Sequence, residues 1–243
     1  MERIDKILSS CGTMSRKEAG LAVRKGRVMV NGALVRSASE KINPDTDQIM
    51  LDGVPFLYHK VLWLMLNKPV GVLSAARDPK QKTVLDLVPE ELRRKGLFPA
   101  GRLDKDTTGL LILTNDGEAA HHMLAPKSHV TKRYCARLDA PLPLDAEERF
   151  AKGIVLSDFT TLPSKLKILE EGNQPLCEVE IHEGKFHQIK RMFLAFGCTV
   201  IELNRISIGS LELDPLLKLG ECRQMTEEEI KLVFREQSDK KPH

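Results

Sequence analysis

Two carboxylates, Asp104 and Asp106, stand two residues apart in a polar stretch, Gly101-Arg102-Leu103-Asp104-Lys105-Asp106-Thr107-Thr108-Gly109, which runs directly into the apolar tetrad Leu110 to Leu113. A short apolar run bounded by glycine and polar turns reads as a central strand, so the carboxylates sit on the loop that enters it. Loops held on a rigid sheet are common carriers of catalytic groups. By pattern alone either Asp equally fits a turn cap. The spacing also admits a metal or glycosidase pair, although no histidine or further carboxylate spacing supports either.

A second concentration of reactive types is Lys185-Phe186-His187-Gln188-Ile189-Lys190-Arg191-Met192-Phe193. Ile189, Met192, Phe193 and Phe196 fall at i, i+3, i+4 and i+7, which predicts a helix packed by its aromatic side and stopped at Gly197. Lys185, Lys190 and Arg191 crowd its first turns. Cations there oppose the helix dipole, so the pattern asks for an anionic partner, a carboxylate or phosphates. Lys127, Lys132, Arg133 and Arg137 form a third basic group with no acid between residues 127 and 137, which suits phosphate contact.

Other chemistries lose their usual handles. His121, His122, His129 and His187 show no metal-ligand arrangement, and Cys11, Cys135, Cys177, Cys198 and Cys222 are odd in number without a Cys-x-x-Cys pair, as expected of reduced thiols in a cytoplasmic protein. No phosphate-cradling glycine loop and no nucleophile elbow occurs. The first residues lack the apolar core of a signal peptide, and the longest wholly apolar run, Val61 to Leu66, is too short to span a bilayer.

The elements that must position these groups divide at the turn-rich Asp52-Gly53-Val54-Pro55, predicting domains over residues 1–55 and 61–235 within the 243-residue chain. In the first, Glu2 to Ser10 reads as a short amphipathic helix ended near Gly12. Ser15-Arg16-Lys17-Glu18 has the form of a capping box opening a second helix that buries Ala19, Ala22 and Val23 and stops at Gly26. Asn31-Gly32 then joins two short strands as a hairpin. Charge is uneven: the net +3 of the whole chain lies within residues 1–60, and residues 1–36 alone hold eight cations against three acids. Arg16, Lys17, Arg24, Lys25 and Arg27 line the second helix and its exit, a stripe suited to phosphates or simply a solvated face. In the second domain, Val61 to Leu66 reads as a buried strand and Leu176 to His182 as a half-buried one. The tail after Phe234 is polar and expected to fray.

Arg3-Ile4-Asp5-Lys6-Ile7-Leu8, Ser15-Arg16-Lys17-Glu18-Ala19 and Gly26-Arg27-Val28-Met29-Val30-Asn31-Gly32 resemble the RNA-binding module named after ribosomal protein S-four. Asn67-Lys68-Pro69-Val70-Gly71, Gly101-Arg102-Leu103-Asp104 through Asn115-Asp116-Gly117, Lys132-Arg133-Tyr134, and Glu183-Gly184-Lys185-Phe186-His187-Gln188-Ile189-Lys190-Arg191-Met192 resemble the ribosomal pseudouridine synthases of the RsuA type. Together these motifs span residues 1 to about 210. The resemblance implies an α+β protein: a small helix-helix-hairpin RNA-binding domain, then a catalytic domain with a mixed, mainly antiparallel sheet and a central cleft. It implies isomerisation of uridine to pseudouridine in ribosomal RNA, most directly small-subunit 16S RNA within an assembly intermediate, without cofactor, metal or membrane.

By the same resemblance Asp104 is the catalytic aspartate, Lys190 its basic partner, and Tyr134 the aromatic residue that stacks on uracil and offers a hydroxyl for proton removal. A carboxylate ionised at neutral pH could attack the sugar, stabilise its developing positive charge, or abstract a sugar proton. Arg3, Arg16, Lys17, Arg24, Lys25, Arg27, Arg102, Lys132, Arg133, Lys185 and Arg191 are the RNA-binding candidates. Gln188 either reaches the base or braces its loop, Thr107, Thr108 and Gly109 shape the catalytic loop, and Asp106 is structural. Arg133 departs from the small polar residue common at its position and places charge near the pocket. A large-subunit RNA target, a non-catalytic assembly factor and a glycoside-type hydrolase using both aspartates are the competing readings.

Overall fold

The computed structural model describes residues 1–10, 14–44, 46–56, 58, 61–125, 128 and 130–235. Gly12, Cys11, Lys60, Lys127, His129 and the tail beyond residue 235 lie outside that set. The chain forms two compact units, one of residues 1–62 with 88–97 and one of residues 63–87 with 98–243.

In the first unit the opening helix runs Ile4–Ser10, two residues shorter at its start than the expected Glu2 to Ser10, because Glu2 and Arg3 pair with Ile42 and Lys41 as a two-residue strand. The next helix, Arg16–Arg24, starts on the expected capping box: the Ser15 hydroxyl accepts from the Glu18 amide and the Glu18 carboxylate accepts from the Ser15 amide. Asn31 and Gly32 both take left-handed φ, +50° and +80°, and turn strand Val28–Val30 onto Ala33–Leu34. Ile4, Ile7, Leu8, Ala19, Ala22, Val23 and Val28 close the core between helices and hairpin. Lys95, from the segment 88–97, donates its amide to the carbonyl of Ser10 at 2.8 Å.

The second unit is built on a nine-stranded sheet. Its main path runs Lys165–Glu170, Leu176–Ile181, Lys132–Leu138, Val200–Ile208, Thr108–Thr114, Trp63–Lys68 and Cys222–Gln224. Every ladder is antiparallel except that between Val200–Ile208 and Thr108–Thr114, where Asn204 faces Thr108 and Arg205 faces Gly109. This is the mixed, mainly antiparallel sheet of an α+β protein. The central strands are apolar on both faces, with Leu62 to Leu66 and Leu110 to Leu113 all buried; that is why they read as continuous runs rather than alternations. Trp63, Met65, Leu110 and Ile112 pack on one face with Ala120 and Met123 of helix Gly117–Leu124.

Gly109 shows why glycine stands at the parallel junction. Its φ is +101°, in the left-handed half of the map, and an added Cβ would run into the Arg205 carbonyl and the Asn204 side chain. Only a residue without a side chain lets the two strands approach this closely.

Candidate active site

The loop carrying Asp104 is held from beneath. Lys68, at the end of its strand and opposite Gly109, is fully buried, and its ammonium donates to the carbonyls of Pro69 at 3.0 Å, Asp104 at 3.0 Å and Thr107 at 2.9 Å. Burial pushes this ammonium down to about 8 against the raising pull of Asp106 and Asp104. Ser74 pins the same loop on its other side, donating to the Leu103 carbonyl at 2.8 Å and accepting from the Leu103 amide at 3.0 Å. Lys68 stood in a motif quoted from the sequence but was assigned no role there; its signal was a charged residue ending a wholly apolar strand.

Asp104 then faces two nitrogen-bearing side chains from the Gln188–Leu194 helix and its entry. Lys190 Nζ lies 3.4 Å from Oδ2 of Asp104, and His187 Nε2 lies 3.5 Å from Oδ1. Lys190 is closer still to Asp106, at 2.5 Å, and this hydrogen bond holds the Asp106 carboxyl below the usual carboxylate range. The anionic partner that the helix pattern asked for is therefore the aspartate loop itself, and Lys190 bridges both its carboxylates. Arg191 finds a separate anion, Asp158.

Tyr134 projects from strand Lys132–Leu138 into the same cleft, 7% exposed, and lines it with Arg102, Asp104, Thr107, Gln188 and Lys190 around a cavity of about 70 Å³ that opens to solvent. Its hydroxyl accepts from Arg205 at 3.4 Å. Arg205 is 3% exposed, donates through Nε to the Leu110 carbonyl at 2.7 Å, and leaves its second amino group buried without a partner. The hydroxyl of Thr107 is likewise buried and unpartnered. Sequence reading missed Arg205. Its signal was a cation two residues from Leu203 at an inward position of a half-buried strand, the face that Leu203 presents to the cleft.

Other candidates fall elsewhere. Gln188 is buried and braces its own turn, accepting from the Lys185 amide at 3.0 Å and donating to Glu183 at 2.8 Å. Arg102 is exposed at the rim of the cleft. Lys185 sits over the ring of Phe159 at 3.7 Å. Of the basic group around residues 127–137, the described members Lys132, Arg133 and Arg137 are engaged within the protein. Arg133 turns away from the cleft and pairs with Glu212 at 2.7 Å and Glu178 at 3.5 Å, so it adds no charge near the pocket. Arg137 pairs with Glu170 at 2.6 Å. Lys132 is half-buried, donates to the Val130 carbonyl, and is pushed down to about 8 by burial, then by the charge of Arg205. The acids absent from the sequence stretch arrive from neighbouring strands, and side-chain alternation sends consecutive residues to opposite faces.

In the first unit Arg3 pairs with Asp5 and Arg27 with Asp52. Arg16, Lys17, Arg24 and Lys25 are exposed along the second helix and its exit. Among the described residues no group of three His, Cys, Asp or Glu side chains could hold a metal ion, and no helix is long and apolar enough to cross a membrane.

A cleft floored by a clamped aspartate, with a lysine on its carboxylate and a tyrosine beside it, joined in one chain to a helix-helix-hairpin unit bearing exposed cations, has the make-up of an enzyme that acts on RNA. The RNA pseudouridylate synthase family model matches residues 62–195, and the S4 domain model matches residues 2–49. The chain is 43% identical over 234 residues to an uncharacterized RNA pseudouridine synthase of Bacillus subtilis, covering 95% of this chain and 98% of that one. It is 41% identical over 232 residues to ribosomal small subunit pseudouridine synthase A of Escherichia coli K12, covering 95% and 99%. A crystal structure of a pseudouridylate synthase, 35% identical, superposes with a TM-score of 0.65 over 96% of this chain and all of that one. The chain belongs to the RNA pseudouridylate synthase family, isomerases that act on RNA.

Proposed function

We propose that the protein converts a uridine of small-subunit ribosomal RNA to pseudouridine, in the cytoplasm and on an assembling particle, with Asp104 as the catalytic carboxylate. The small-subunit assignment draws on the likeness to the Escherichia coli enzyme. The observation that carries the chemistry is the placement of Asp104: its backbone is fixed by the buried Lys68, its carboxylate faces Lys190 and His187, and the cleft above it is walled by Tyr134.

The reaction breaks the bond from C1′ of the ribose to N1 of uracil, turns the base, and forms a bond from C1′ to C5. The C5 proton leaves and N1 gains one, so the atoms balance without a co-reactant. Positive charge develops at the sugar as the first bond breaks, and a carboxylate ionised at neutral pH is complementary to it. Lys190, 3.4 Å from that carboxylate, aligns it when RNA excludes water. Tyr134 stacks on the turned base, and its hydroxyl, held by Arg205, is placed to relay the C5 proton, passing on its own proton as it accepts that one so that N1 ends protonated. Arg102 meets the backbone at the rim, while Arg16, Lys17, Arg24 and Lys25 grip phosphates without reading bases.

Carbodiimide mapping of ribosomal RNA from cells with the gene, without it, and carrying Asp104→Asn tests this reading. One small-subunit pseudouridine is expected in the first and absent from the other two. A map unchanged by gene loss, a site in large-subunit RNA, or full modification by the Asp104→Asn chain would each refute a named part of it.

A further inference from the structure

Among the described residues Phe186 is the one aromatic side chain among the large exposed apolar groups, 73% exposed, and nothing in the mechanism above uses it. Its ring stacks on that of His187, with centroids 3.8 Å apart and planes 16° from parallel. His187 adopts a left-handed φ of +48°, a conformation unusual for a side-chain-bearing residue and one that needs support from its surroundings. The support is present: Gln188 ties the turn together through the Lys185 amide and Glu183, and His187 Nε2 lies 3.5 Å from Asp104. An apolar ring is thus presented on a braced turn, one face against His187 and the other open to water.

We propose that the open face of Phe186 is a stacking platform for a nucleobase of the substrate RNA adjacent to the target uridine. The inference rests on the cleft being the uridine site. The target base belongs between Asp104 and Tyr134, and His187 lines that cleft whereas Phe186, stacked on its ring, does not, so a base on Phe186 is a neighbour of the target and not the target. Base-aromatic stacking suits single-stranded RNA whose bases are unstacked, and it tolerates any base because each has a π-face. Exposed cations complete the site for a polyanion: Arg102 at the cleft rim and Lys185 next in sequence. The platform helps hold the splayed strand while the target uridine occupies the cleft.

Two measurements test it. Tritium release from 5-tritiated uridine in ribosomal particles of both subunits, isolated from cells lacking the gene, is expected to show KM raised about tenfold by Phe186→Ala with kcat reduced less than about twofold. Phe186→Trp is expected to restore KM and Phe186→Leu to leave it raised. Equal rescue by leucine, or an unchanged KM in the alanine variant, would overturn the platform. Independently of turnover, Phe186→Trp adds an exposed indole to a chain whose one native tryptophan, Trp63, is buried. Its emission is expected to be quenched by a single-stranded oligouridylate, and unaltered emission at saturating oligonucleotide would overturn the proposal. The same titration in an Asp104→Asn background separates the two readings: turnover by that variant defeats the catalytic assignment, while quenching reports on the platform alone.

Discussion

The buried ammonium of Lys68 donates to the backbone carbonyl of Asp104 at 3.0 Å, so the residue that ends one central strand fixes the aspartate loop entering the next. Lys68→Met keeps the apolar stem but takes a charged donor from the carbonyls of Pro69, Asp104 and Thr107. Stability is expected to fall by about 2–4 kcal/mol in urea unfolding, the scale for breaking a buried, charged hydrogen-bonded group. A displacement of Asp104 by about 1 Å is expected to lower kcat on the order of a hundredfold. Lost stability with unchanged kcat would show that Lys68 holds the fold and not the catalytic geometry.

Local pattern carried much of this molecule. The capping box at Ser15, the Asn31-Gly32 turn and the apolar strands are set by neighbours in sequence, and the aspartate loop announced itself by its abrupt junction with Leu110 to Leu113. What stayed hidden depends on partners far along the chain. Arg205 looks like one more strand cation until the parallel pairing puts it beside Gly109 and under Tyr134. Arg133 and Arg137 look free until strands Leu176–Ile181, Lys165–Glu170 and Leu211–Glu212 deliver Glu178, Glu170 and Glu212. Charge counted along a strand mixes two faces that the sheet separates.

Lys190 divides its attention between two carboxylates, and the closer one, Asp106, is largely exposed. An exposed ion pair is screened and contributes little. Asp106→Asn is therefore expected to reduce kcat less than about tenfold, because Lys190 keeps Asp104 as its partner, whereas Asp104→Asn removes the carboxylate proposed to act on the sugar and is expected to abolish turnover. Comparable losses in the two variants, read by single-turnover tritium release, would mean that the carboxylates act as a pair.

Lys132 links stability to pH with a definite sign. Its ordinary value of 10.5 is lowered to about 8 in the folded chain by burial and by Arg205. Between those values the unfolded chain binds the proton and the folded chain does not, so this group makes stability rise with pH there; below about pH 8 its penalty is constant. The urea midpoint of the wild type relative to Lys132→Met is expected to shift in favour of the wild type from pH 8 to pH 10. Taking the difference between the chains removes the shared contributions of Lys68 and of Cys177, whose thiol burial pushes up to about 11. A difference that stays flat over that range would contradict the burial of this ammonium.

The first unit separates cations that are engaged from cations that are available. Arg27 is clamped on Asp52 and Arg3 on Asp5, while Arg16, Lys17, Arg24 and Lys25 are exposed along one helix and its exit. A cation already paired within the protein must give up that partner before it neutralises a phosphate, and releases fewer counterions on binding. Arg24→Ala or Lys17→Ala is expected to lower the slope of log Kd against log salt by about 0.7–0.9 per lost phosphate contact, with affinity falling alike across RNA sequences. Arg27→Ala is expected to change that slope by less than half as much. The measurement is a salt titration of binding to a fluorescently labelled ribosomal RNA fragment, with Asp104→Asn as the protein background so that turnover does not alter the RNA. Equal slopes for Arg24→Ala and the parent would remove the helix from the RNA interface, and a larger change for Arg27→Ala would place the phosphate contact on the hairpin side instead.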